Sequence, residues 1–357
     1  MSFLTKSRNT LIFVLIVLAC YFVPTYQKHK TQLKTDKLAD KKVENTAPDL
    51  NLICQNLFKE MQKISDQRTT LALEQINQDT RMCLPLMPQT ERKKLMVFSD
   101  QMYKQFLHIE RTPEQEKAFN EYILNQYQIP NIQQIYFEKL HMRDQYLLRH
   151  KGQAYVELVE SPEGKMVYRR SPQYLANIFA EYFPASEQVF IQELANQNQK
   201  SIFSNNNINL LPQEITRRAL FWENYIKQYP KSSFRKDADF LFGFYSSLLF
   251  IGPPHARVSQ TYDGELDIQI SHLMEIQALA KQENSILANQ SRKFLDFVNM
   301  DTEQRLKNIK LPANILKKVD SDPQQLATAQ LASSLNLKVI NEADFNKRDC
   351  FSDAICH

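Results

Sequence analysis

Glycine is nearly missing: the 357 residues contain five, at Gly152, Gly164, Gly243, Gly252 and Gly264. No two stand close enough for a G-x-G-x-x-G turn, a phosphate-cradling P-loop or a G-x-S-x-G nucleophile elbow. Those motifs need glycine because the backbone must take positive φ or approach a ligand closely. Dinucleotide-binding, P-loop and elbow-type hydrolase folds are therefore excluded. The shortage also weighs against a turn-rich all-β domain, and abundant Gln, Leu, Lys and Glu favour helix. An excess of one charge is missing too. Forty-four basic and 40 acidic side chains leave a formal +4, too balanced and dispersed for a nucleic-acid partner.

Metal-ligand spacing is absent. The seven histidines (His29, His108, His141, His150, His255, His272, His357) form no H-E-x-x-H, and no two share i, i+3 or i, i+4 spacing. Acids such as Asp237, Asp239 and Glu265 are plentiful, but no spacing selects a catalytic pair. The expectation is a protein without cofactor, metal or catalytic residues.

One long hydrophobic run is present. Lys6 and Arg8 precede LIFVLIVLACYFV, Leu11 to Val23. Its core suits a signal peptide, while Thr10 to Tyr26 reaches the lower limit for a membrane helix, with Tyr21 and Tyr26 placed as interfacial aromatics. Val17-Leu18-Ala19-Cys20 resembles a bacterial lipobox, which makes Cys20 a candidate lipidation site. The bulky Tyr21-Phe22-Val23-Pro24 that follows favours the anchor. Residues 1–26 are thus read as a single-pass inner-membrane segment, with lipoprotein attachment through Cys20 as the alternative. Residues 27–48, poor in large apolar side chains, read as a flexible polar spacer.

Lysines after the segment outnumber those before it, so positive-inside counting opposes export. Cysteine usage supports it: Cys54, Cys83, Cys350 and Cys356 form an even set outside the segment, as an oxidising periplasm would use. Of three pairings, Cys54–Cys83 closing a helical hairpin and Cys350–Cys356 closing a small ring is the favoured one; four free thiols is the alternative. No pair has C-x-x-C spacing, so redox catalysis and a zinc ribbon are poor readings.

Beyond residue 49 the apolar period is helical, as in Leu95, Phe98, Met102 and Phe106. Thr112-Pro113-Glu114 reads as a capped helix start. Helices are expected over 49–80, 90–109, 113–128, 131–150, 172–182, 186–199, 213–229, 235–251, 266–299 with a break, and 322–335. Gln153 to Arg170 alternates around Ser161-Pro162-Glu163-Gly164 and predicts a β-hairpin. The fold expected is mainly α: an elongated multi-helix body with subdomains at 49–150 and 171–345, a hairpin connector at 151–170, and a tail at 346–357.

Two segments are candidates for partner binding. Ala238 to Ile251, with Phe240, Phe242, Phe244, Tyr245 and Phe250, is apolar on nearly every helical face. It is either a central buried helix or an exposed aromatic surface. The tail, with Phe351 and the terminal His357 beside a disulfide ring, either pins the chain end or docks into a partner as a plug, with imidazole and carboxylate suited to zinc.

A membrane segment, a polar spacer and a helical periplasmic body together resemble the lipase-specific foldases, membrane-tethered steric chaperones of enzymes exported by type II secretion. Phe119-Asn120-Glu121-Tyr122-Ile123-Leu124 is similar to their R-x-x-F-D-Y motif, with Glu116 at the arginine position and Asn120-Glu121 replacing Asp-Tyr. Phe183-x3-Glu187-x2-Phe190 is similar to the start of a later foldase helix. The departures argue against a lipase client. The resemblance implies a dedicated chaperone of another exported enzyme, by preference a metzincin-type metallopeptidase, bound one to one. An envelope lipoprotein or scaffold for another protein partner is the alternative.

Overall fold

Thr112-Pro113-Glu114 forms the helix start its sequence predicts. Thr112 Oγ1 accepts the Gln115 N–H at 3.3 Å, and the Thr112 N–H donates to Gln115 Oε1 at 3.0 Å. The pair satisfies two donors that the helix cannot. In this computed structural model the described residues are 50–125, 130–204, 207–253, 256–319, 322–337 and 348–357. All belong to one compact unit, Pro48–His357. The expected membrane segment, the spacer and Cys20 lie outside them, and among the described residues no helix is long and apolar enough to cross a membrane.

The chain is mainly helical, as expected. Helices α1 (Leu50–Gln62) and α2 (Thr70–Cys83) replace the single helix predicted over 49–80. The polar turn around Ser65-Asp66 interrupts it, and Thr69 Oγ1 restarts it by accepting the Ala72 N–H. Next come α3 (Gln89–Phe106), α4 (Pro113–Leu124), α5 (Pro130–Phe137) and α6 (Met142–Arg149). The break between the last two falls where His141 Nδ1 accepts the Arg143 N–H at 3.1 Å, a cap that apolar periodicity does not reveal. Strands β1 (Val156–Glu160) and β2 (Met166–Arg170) form the predicted antiparallel hairpin, pairing Leu158 with Tyr168.

Helices α7 (Gln173–Ile178), α8 (Ala185–Gln197), α9 (Pro212–Gln228) and α10 (Arg235–Phe250) follow, with a two-residue ladder of β3 (Phe203–Ser204) and β4 (Asn207–Ile208) between α8 and α9. The predicted 266–299 region is α11 (Ile270–Ala280) and α12 (Ile286–Val298). Buried Glu223, from α9, starts α12: it accepts the Ile286 and Leu287 N–H groups at 2.7 and 3.1 Å and the Ser285 hydroxyl at 2.8 Å. This places an anion at the positive end of the helix dipole. Helices α13 (Thr302–Asn308) and α14 (Ala313–Val319), which the sequence reading does not foresee, lead into α15 (Pro323–Leu335).

The apolar interior falls into two large clusters that meet on α8. Phe190 and Leu194 face the cluster built from α9 to α12 and α15, while Ile191 and Ala195 face the one built from α1 to α3, α7 and the neighbouring turn. The division therefore comes at α8 rather than at the β-hairpin, because Tyr174, Leu175, Ile178 and Phe179 pack with the N-terminal helices. A small third cluster sets Phe119 and Leu140 against Leu158, Met166 and Tyr168 of the hairpin. Two glycines show contrasting demands. At Gly252, φ is +78° and an added Cβ would meet Ala256 O at 2.5 Å; at Gly243, inside α10, nothing lies within 4 Å. Only the first position requires glycine.

Candidate functional site

The sequence-selected aromatics of α10 are mostly interior. Phe244, Tyr245 and Phe250 are buried, Phe240 and Phe242 half-buried. The tail brings Phe351 into the same group, its ring centroid 4.5 Å from Phe244, 6.3 Å from Phe240 and 5.4 Å from Phe203. Phe250 stands apart, against Phe294 at 5.6 Å. The two candidate surfaces thus cover each other, and the buried aromatics form core rather than an open contact face. From Phe244 to Phe250 apolarity on every side of the helix is satisfied by burial on every side.

Both expected disulfides are formed, Cys54–Cys83 and Cys350–Cys356. The second closes a ring whose ends also pair through the backbone, Asp349 N–H to His357 O at 3.0 Å and His357 N–H to Asp349 O at 2.8 Å. This ring is not a projecting plug. Ala354 and Ile355 enter the N-terminal cluster, while Cys350 and Phe351 enter the other. Buried Asn198 donates to the carbonyls of Cys350 and Asp353 at 2.8 and 2.7 Å. Arg169 bonds Ser352 O from the hairpin, and Arg348 pairs with Asp237 of α10 at 2.6 Å.

At the centre, buried Asp353 pairs with buried Arg170, which also donates to Ser99 Oγ at 2.8 Å and lies over the rings of Tyr174 and Tyr103 at 4.8 and 5.5 Å. Burial opposes ionisation of Asp353, but Arg170, the His357 imidazole and the Ala354 N–H hold its carboxyl below the usual carboxylate range. His357 Nε2 lies 3.4 Å from Asp353 Oδ2, and that bond raises the imidazole above its ordinary value. These groups wall a cleft of about 510 Å³ with Asp100, Lys104 and His108.

Asp100, Asp353 and His357 could offer three metal-ligand atoms within 4.8 Å of one another, the one such group among the described residues. Their existing bonds fit a different role. Asp353 Oδ1 accepts the Ala354 N–H at 2.8 Å, Oδ2 is shared by Arg170 and His357, and Asp100 pairs with Lys104 at 2.7 Å. A cation would have to enter beside the guanidinium already neutralising Asp353. The arrangement is an ion-pair latch that fastens the tail across both cores.

Phe119 of the foldase-like motif is buried. The Arg111 guanidinium lies 4.0 Å from the Phe119 ring centroid and holds both Asp144 oxygens at 2.8 Å.

An open apolar face does exist, on a helix the sequence reading did not select. Leu273, Ile276 and Leu279 of α11 enter the core, yet Ile270 and Met274, one turn apart, are 70% and 62% exposed, with Ala278 exposed one turn on. Leu266, fully exposed, stands in the turn before the helix, which Gln277 ties to α11 through Glu265 at 3.1 Å. The signal was readable: ISHLMEIQALA carries one charged residue, Glu275, and two apolar stripes where one face would suffice. No family model, no curated protein and no solved structure matches this chain.

Proposed function

We propose that this protein is a membrane-anchored periplasmic chaperone that binds a specific exported enzyme, assists its folding and holds it for type II secretion. The observation that carries the reading is the second apolar stripe of α11. Two large side chains one turn apart, with a fully exposed leucine beside them, give a second protein a row of anchors on a helix already fixed by its opposite face. A client that is still folding exposes the apolar surface such a row would cover. The mechanism is one of contact, and no chemical step is assigned to the body.

The preferred client is a metallopeptidase, in keeping with the foldase resemblance and its altered motif. The tail latch would serve the body itself rather than plug the client, since Phe351 is interior and Asp353 holds His357.

The test is Ile270→Asp with Met274→Asp in the full chain, expressed with its secretion system. Both side chains face solvent, so the melting temperature should stay unchanged while the exported enzyme's activity in the medium falls at least tenfold. Unchanged export activity with a folded variant would sink the reading. Retention of a non-secreted envelope protein through the same face would favour a scaffold.

A further inference from the structure

Between Gln304 and Val319 the chain has five cations, Arg305, Lys307, Lys310, Lys317 and Lys318, and no acid. Large apolar residues alternate with them: Leu306, Ile309, Leu311, Ile315, Leu316 and Val319. The fold sorts this stretch into an inner and an outer side. Arg305 is buried, bonding Thr261 O at 3.0 Å and Tyr262 O, with its guanidinium 4.7 Å from the Phe297 ring centroid. Ile309, one turn on, packs against the C-terminal core. These two hold the segment in place. Leu306, Lys307 and Lys310 are left exposed, and after Pro312 every residue from Ala313 to Lys317 is exposed as well. Leu306, Ile315 and Leu316 retain 53%, 38% and 37% of their surface.

We propose that the elbow of α13 and α14 docks the body onto a bilayer surface containing anionic phospholipid. The exposed charges Lys307, Lys310 and Lys317 are all of one sign and complement phosphate headgroups. The apolar side chains among them would enter the headgroup boundary, the arrangement by which interfacial helices bind membranes. Lysines interleaved with exposed leucine and isoleucine match a surface of phosphate headgroups over acyl chains. The acids flanking the stretch are Asp301 and Glu303 before it and Asp320 and Asp322 after it, so the cations from Lys307 to Lys317 have no acid among them. The inference concerns lipid alone and stands whether or not the chaperone reading holds.

The experiment is vesicle flotation with the body Pro48–His357, which contains both large cores and both disulfides. Vesicles of phosphatidylcholine with phosphatidylglycerol are compared with phosphatidylcholine alone. Binding to the anionic vesicles that weakens with added salt is expected. Neutralising one lysine should reduce partitioning about fivefold, and Lys307→Gln, Lys310→Gln and Lys317→Gln together about a hundredfold. Leu316→Ser should weaken binding without changing its salt dependence. Circular dichroism checks that each variant is folded, and these exposed sites leave little reason for it not to be. No flotation of the wild-type body, equal flotation on neutral vesicles, or an unaffected triple variant would each overturn the proposal. If wild type fails to float yet the triple variant loses client binding, the elbow belongs to a protein interface.

Discussion

Asp353→Asn isolates the charge on which the tail latch depends. Asparagine keeps the shape and can still accept the Ala354 N–H, but Arg170, itself buried, loses its anionic partner. Breaking a buried ion pair on one side costs about 3–5 kcal/mol, mostly because the remaining charge is left uncompensated. Ser99 Oγ and the two tyrosine faces still contact the guanidinium, and Asp100 still acts on it electrostatically, so the lower end, about 3 kcal/mol, is expected. In a body of this size that lowers the melting temperature by about 5 °C. Guanidinium denaturation followed by circular dichroism, with disulfides intact and near pH 6, measures it. Arg170→Met with Asp353→Leu removes both charges and should cost at least about 2 kcal/mol less than the two single changes together. A loss under about 0.5 kcal/mol for Asp353→Asn would refute the latch.

The latch should also respond to pH from both sides. The lowered Asp353 value makes its contribution present above the unfolded carboxyl range and lost as pH falls through the folded value. The raised His357 value makes its contribution full below the unfolded imidazole range and lost as pH rises through the folded one. The protection factor of the Ala354 amide, its exchange corrected for the intrinsic pH dependence, should therefore be highest in mildly acid solution, and a flat profile would contradict this. Glu223→Gln should cost about 2 kcal/mol by weakening three hydrogen bonds to an anion. Because interactions with Lys227 and the α12 amides outweigh burial in lowering the Glu223 value, the variant should also show a shallower acid limb in a stability-versus-pH curve. Replacing Cys54 and Cys83 by alanine should cost about 3.5 kcal/mol, and Cys350 and Cys356 about 2, since the loops closed differ in length; equal melting shifts would contradict that. Gly243→Ala should stabilise α10 by about 0.5–1 kcal/mol, the added methyl meeting nothing, and destabilisation would count against the packing described.

What the sequence disclosed was local. The Thr112 cap, the hairpin around Gly164 and the Cys350–Cys356 ring each depend on residues a few positions apart, where spacing carries the information. The role of α10 was left divided, because apolarity on every face suits burial and binding equally. Its distant neighbours decide for burial, Phe351 of the tail against Phe244 and Phe294 of α12 against Phe250. Arg170 and Asp353 are 183 residues apart, and neither belongs to a pattern that announces the other. The α11 face was legible in principle, as two stripes on one short helix, but the longer aromatic run of α10 drew the assignment. Helices α13 and α14 escaped because seven residues make only about two turns, too few for an apolar period to repeat.

The central claim is that α11 holds an exported client. A photo-crosslinking side chain at Met274, in the full chain within its native cells, tests this directly. One discrete adduct to an exported enzyme is expected, lost with Ile270→Asp and absent when the crosslinker stands at buried Leu273. An adduct only to a resident envelope protein, or none from a folded chain, would contradict it.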